Sequence, residues 1–234
     1  DAGDAVNTGI NFTLGGKAGL GNHVKANISG SEYGIRAASV HFQNGESVIA
    51  GNQGAVETET IWAREKSNVT LKGNGTTAQS VVKTSVELLA EDATIQIDGT
   101  GTVGPAVDTQ NLTANTGGSI IVDGAGTPDH VVKAESVLAA GADSSIRVMG
   151  ANGTVNTVQA TKEVVASAGG EIYVSGDGVS TPVAVYSGGI AGTLNGSPSV
   201  LKVDGAITAI DTETLVAMGG TSTYGTILSE NDTA

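Results

Sequence analysis

The chain contains no cysteine, which excludes a disulfide framework and any thiolate metal site. Aromatic residues make up 3% of the sequence, and Tyr33, Tyr173, Tyr186 and Tyr224 are too scattered to form a platform for stacking sugars. Basic residues are few: 11 against 24 acidic, a net charge of −13 that disfavours nucleic acid or an anionic membrane surface as partner. No apolar run approaches the ~20 residues of a membrane-spanning helix, so no insertion into a membrane is expected of this chain. No signal peptide begins at Asp1, and the sequence reads as a processed or excised piece.

What is abundant is glycine, 35 of 234 residues, and small aliphatic side chains within a 39% hydrophobic content. Their arrangement is periodic. The stretch SIIVDGAGT (Ser119 to Thr127) resembles a strand ending in an Asp-Gly hairpin, yet variants of it recur as ATIQIDGTGT, SSIRVMGANGT and GEIYVSGDG. The marker glycines Gly99, Gly124, Gly150 and Gly176 are separated by 25, 26 and 26 residues. Before each marker stand Ile95, Ile120, Ile146 and Ile172, then Ile97, Val122, Val148 and Val174. The residues between, Gln96, Ile121, Arg147 and Tyr173, share no chemistry, as expected when alternate side chains point to opposite faces of a strand.

Two further apolar columns follow in this frame. One pairs Leu112 with Ala114, Leu138 with Ala140 and Val164 with Ala166, and is interrupted at Glu87 and Leu89. The other reads Val81, Ala106, Val132 and Val158. Outward along the chain, Gly73, Gly51 and Gly30 mark earlier units. Gly205 follows Gly176 after 29 residues, the three extra ones falling in TLNGSPS (Thr193 to Ser199). A fixed period of this kind is the signature of a solenoid. The predicted fold is all-β: a single-stranded, right-handed parallel β-helix of about eight turns, with three short strands per turn. One domain spans residues 1–234, with irregular N-terminal turns or a cap over 1–30, regular rungs over 31–208 and a degenerate last rung over 209–234. The stretch GGKAGLG and the SENDTA tail are candidate caps for the open ends.

The repeat HVVKAESVLAAGADSSIRVMGANGT (His130 to Thr154) resembles the passenger domains of bacterial autotransporters, the right-handed β-helices of pertactin-like and self-associating adhesins. The resemblance covers most of the chain and carries no catalytic motif. It implies export, display on the outer surface of a bacterial cell or secretion, and a covalently linked β-barrel translocator elsewhere in the full protein. It also implies self-association, or adhesion to a host-cell surface or matrix ligand. Two other readings stand beside it: a rigid stalk that displays another domain, and a β-helical polysaccharide-processing enzyme.

Candidate functional residues are those that break the repeat. TETIWAREKS (Thr58 to Ser67) holds the only Trp, and the frame sends Trp62 outward beside Glu59, Arg64, Glu65 and Lys66, a composition suited to an interaction surface. The alternative is a Trp62 tucked under a neighbouring loop. Asp98 and Asp123 share one column a turn apart, where a Ca²⁺ is conceivable, although stacked acids more often face solvent or cap turns. No metal or cofactor is expected. The turns GNGTT and GANGT lack the Lys-Ser/Thr and helix of a phosphate site, and His23, His41 and His130 have no matching partners. Asn27, Asn68, Asn74, Asn111 and Asn152 stand in Asn-x-Ser/Thr strings, which turn composition explains.

Overall fold

Alternation of β-branched residues with polar ones favours strands with one buried face, and in the computed structural model every regular element among the described residues is a strand or an isolated bridge. The structure describes residues 3–16, 24–74, 78–124, 129–150, 154–177, 181–194, 198–218 and 226–230. Residues 17–21 of the GGKAGLG stretch, Asn152 and the last four residues of the SENDTA tail lie outside them.

The strands form two parallel sheets. The first, the short-strand sheet, stacks nine strands in chain order: Val24–Gly30, Gly45–Gly51, Asn68–Gly73, Thr94–Asp98, Ser119–Asp123, Ser145–Met149, Glu171–Ser175, Val200–Asp204 and Thr226–Glu230. Its eight interstrand spacings of ~4.8 Å make it about 38 Å long. The second, the long-strand sheet, has twelve strands. Most are long, as in Gly54–Arg64, Val82–Glu91, His130–Ala140, Asn156–Ser167 and Val183–Leu194. In other coils the same path is divided, as in Tyr33–Arg36 with Ser39–Gln43 and Val107–Asp108 with Asn111–Asn115.

The chain therefore winds as a β-solenoid. About seven coils, from Tyr33 to Asp204, close around a continuous buried interior, with an outer coil of strands at each end. SIIVD is no hairpin: Ser119–Asp123 lies parallel between Thr94–Asp98 and Ser145–Met149, its own equivalents one coil away on either side. His130–Ala140 is likewise a strand, despite its helix-forming composition. Tertiary pairing overrides local propensity there.

Inside the short-strand sheet, Val69, Ile95, Ile120, Ile146, Ile172 and Leu201 form one fully buried row. Each such side chain contributes about 1.5–3 kcal/mol of hydrophobic stabilisation. Opposite them, Ile61, Leu88, Leu112, Val137 and Val164 make the matching row of the long-strand sheet, with Ala63, Ala90, Ala114, Ala139 and Ala166 beside it.

This corrects the sequence frame. The inward residues are Val137 and Ala139 rather than Leu138 and Ala140, and Leu88 and Ala90 continue the column that Glu87 and Leu89 were expected to break. The connection between the two sheets varies by one residue from coil to coil, so counting from the glycine slips by one. The third column also mixes two rows: Val132 and Val158 align with Val82 and Val107, not with Val81 and Ala106. All six are buried, because the chain turns a corner there and consecutive residues face inward. Of the three extra residues before Gly205, two fall between Leu194 and Val200 and one between Ser175 and Val183, since the offset is 27 in the long-strand sheet and 29 in the short-strand sheet.

The corners have their own chemistry. After the long strands the backbone enters the left-handed region at Asn44, Glu65 and Lys66, Asp92, Thr116, Gly141 and Asp143, and Ala168 in successive coils. Before the long strands, the repeat's terminal Thr is buried: Thr102 Oγ1 donates to Gly99 O at 3.0 Å, and Thr181 N donates to Asp177 Oδ1 at 2.8 Å. Marker Gly124 is held by space, because a Cβ there falls 2.5 Å from Met149 O of the next coil. Where the long strands bulge, buried hydroxyls bridge coils: Thr58 Oγ1 donates to Ala38 O at 3.0 Å and Ser187 Oγ to Lys162 O at 3.2 Å.

Candidate functional site

Alternation from buried Ile61 and Ala63 turns Trp62 to the outer face of the long-strand sheet, as its sequence position predicts. Trp62 is half-buried rather than free. It lies in register between His41 and Leu89 on the adjacent coils, and its ring centre is 4.8 Å from that of His41 at an interplanar angle of 31°. Its Nε1 donates to Glu87 Oε2 at 3.4 Å. The Arg64 guanidinium covers the other part of the ring at 4.9 Å. Arg64 Nε lies 2.9 Å from Glu91 Oε2, an ion pair whose angle falls short of a hydrogen bond. Side chains of neighbouring coils brace the indole on the outer face of the sheet. Burial lowers the His41 pKa below its usual 6.5, and the nearby Arg64 charge lowers it further. The imidazole stacked on Trp62 is thereby biased toward its neutral form at neutral pH.

The other members of the predicted surface separate. Glu59 is exposed at the bulge, its N–H bonded to Ala38 O at 3.1 Å. Glu65 and Lys66 occupy the left-handed corner, where the Lys66 ammonium pairs with Asp92 of the next coil. Asp98 and Asp123 stand on the short-strand sheet, adjacent in register as expected. Their row continues from Lys72 and passes on to Met149 and Ser175. Asp98 Oδ1 accepts the N–H of Thr100 at 2.9 Å and so caps its turn. Among the described residues no three His, Asp or Glu side chains converge as a cation would need.

Two arrangements escaped the sequence reading. Arg36, Glu57, Lys83, Asp108 and Lys133 lie in one row of the long-strand sheet with alternating sign. Arg36 Nε meets Glu57 Oε2 at 2.8 Å, and Glu57 Oε1 meets Lys83 Nζ at 3.4 Å. Arg36 also reaches Asp4 Oδ2 at 3.1 Å, tying the outer N-terminal coil to the first of the seven. In-register parallel stacking places like residues together, so alternation of charge removes the repulsion. The signal was present as charges recurring at 21, 26, 25 and 25 residues, but the frame followed apolar residues alone. The second arrangement is a row of Arg147, Tyr173 and Lys202 on the short-strand sheet, with the Arg147 guanidinium 5.3 Å from the Tyr173 ring centre. Tyr173 OH donates to Glu171 Oε2 at 2.8 Å, and this bond holds its pKa above the usual 10.0.

No protein family matches the chain, and no curated protein or solved structure shows significant similarity to it.

Proposed function

We propose that this chain is a non-catalytic interaction scaffold: a right-handed β-helix with three short strands per coil, displayed outside a bacterial cell and acting in adhesion or cell-to-cell aggregation. The observation that carries the reading is the outer face of the long-strand sheet. Side chains on successive coils stand in straight rows about 4.8 Å apart, with half-buried Trp62 and Leu138 in the middle row and polar groups such as Glu87, Asn111 and Ser136 alongside. A strip whose middle row is mainly apolar, Trp62, Leu89, Thr113, Leu138 and Val165, with a braced aromatic and polar flanks, suits weak contacts repeated along its length, and many weak contacts between two displayed arrays sum to firm attachment. The three-sided section is supported by the bulges at Thr58/Thr60, Ala134/Ser136 and Ser187/Ile190, which divide the long strands where other coils have two separate ones. The resemblance of the repeat to autotransporter passengers supports surface display and a covalently linked translocator barrel.

The test is display of the chain on cells that do not otherwise clump. Sedimentation or attachment to host cells is expected to rise, and Trp62→Ala combined with Arg64→Ala is expected to reduce it. If displayed cells neither clump nor attach, the rigid-stalk reading replaces adhesion. Ca²⁺-dependent release of unsaturated sugars from polysaccharide would instead support the enzyme reading.

A further inference from the structure

We propose that the outer face of the short-strand sheet carries a binding site for an acidic saccharide, centred on Arg147 and Tyr173. Arg147, Tyr173 and Lys202 occupy one row on consecutive coils, and Met149, Ser175 and Asp204 occupy the next outward row. Ser175 is the small residue between two larger ones, and over it opens a shallow hollow of about 320 Å³ lined by these six residues together with Val148 and Val174.

Charge pairing singles out Arg147. The chain has three arginines, and Arg36 and Arg64 each meet a carboxylate. Arg147 is exposed and meets none among the described residues, although acidic residues outnumber basic ones 24 to 11. Its planar fork of donors is aligned by the Tyr173 ring and open to a carboxylate from outside. The bond to Glu171 already fixes Tyr173, so its ring offers a preorganised apolar surface for the C–H face of a sugar. Ser175 Oγ and the Asp204 carboxylate line the other side and accept hydrogen bonds from hydroxyls.

The two sides together define the ligand. A neutral sugar leaves Arg147 unanswered. An acidic peptide side chain answers Arg147 but brings its charge toward Asp204 with no hydroxyl to relieve it. A uronic-acid saccharide supplies both the carboxylate and the hydroxyls. The hollow runs across the coils of Met149, Ser175 and Asp204, two coil spacings or about 9.6 Å, which suits an extended oligosaccharide. The site lies on the opposite sheet from Trp62, so it stands whether or not the chain aggregates cells.

The experiment is titration of the whole chain with trigalacturonate and, separately, with neutral maltotriose, followed by calorimetry and by amide NMR shifts. Saturable binding of trigalacturonate is expected, with shifts centred on residues 147–149, 173–175 and 202–204. Arg147→Gln and Tyr173→Ala are each expected to weaken it about tenfold or more. Thr70→Ala, in the same row three coils away, is expected to bind as the parent does. Absence of saturable binding, equal binding of maltotriose, or unchanged affinity in Arg147→Gln overturns the proposal.

Discussion

The short-strand sheet keeps one register over nine strands without a bulge, whereas the long-strand sheet divides into separate strands in some coils and shifts register at Thr58/Thr60, Ala134/Ser136 and Ser187/Ile190. Both sheets enclose the same core. The difference lies in what each must absorb: coils of unequal length are accommodated in the bulges and corners that adjoin the long strands, which leaves the short strands free to repeat. An in-register row of Ile or Val on successive coils is a strong constraint, since a slip of one residue turns the whole buried set outward. The short-strand sheet is thus the ruler of the solenoid and the long-strand sheet its adjustable side.

The sharpest way to break that contrast is to place a charge in the ruler. Ile120→Asp buries an unpaired carboxylate in the middle of a fully buried row and is expected to cost about 4 kcal/mol or more, unfolding the adjacent coils, whereas Ile121→Ser on the outer face costs about 1 kcal/mol or less. Urea titration monitored by circular dichroism measures both. On the adjustable side, Val137→Ser is expected to cost about 2–3 kcal/mol and Leu138→Ser under about 1 kcal/mol, because Val137 and not Leu138 faces the core. The reverse order restores the frame counted from the glycine markers.

The corner between the sheets separates two uses of glycine. A Cβ on Gly118 falls 2.1 Å from Ala90 O, while Gly117 has open space but a φ of +78°. Gly118→Ala is expected to lower stability by about 1–3 kcal/mol through overpacking, and Gly117→Ala by about 1 kcal/mol through backbone strain. Thermal melts of the two variants compare space with conformation at adjacent positions.

The smallest expected effect is that of pH. Burial lowers the pKa of both His41 and His130 below 6.5, with Arg64 adding to the effect on His41. The unfolded chain then binds protons more readily than the folded one, so the stabilisation is fully present above about pH 6.5 and is lost as pH falls through that value toward the folded-state pKa. The melting temperature contributed by these groups is expected to drop by a few degrees between about pH 7.5 and about pH 5, and His130→Gln is expected to flatten part of that drop.

The ruler was the legible part. Ile95, Ile120, Ile146 and Ile172 announce their row because the marker glycine follows each at a constant distance within one short strand. The long-strand rows were readable only in outline, since a corner of variable length lies between them and the marker, and Leu138 offers as good an apolar candidate as Val137. Trp62 was legible as an outward residue because its neighbours Ile61 and Ala63 are apolar. Its bracing by His41 and Glu87 was not, because those partners belong to other coils, 21 and 25 residues away. The same holds for Arg147 and Tyr173, unrelated in local sequence and brought together by a step of 26 residues.

Distances between spin labels report whether equal positions of successive units stack at one spacing. With no native cysteine to interfere, labels can be placed on outward positions of one row of the short-strand sheet, Thr70 with Ile121, Thr70 with Tyr173 and Thr70 with Lys202. These pairs lie two, four and five coils apart, so backbone separations of about 10, 19 and 24 Å are predicted, rising linearly with coil number. A Thr70–Lys202 distance shorter than that of Thr70–Tyr173, or any order that does not follow the coils, contradicts the solenoid.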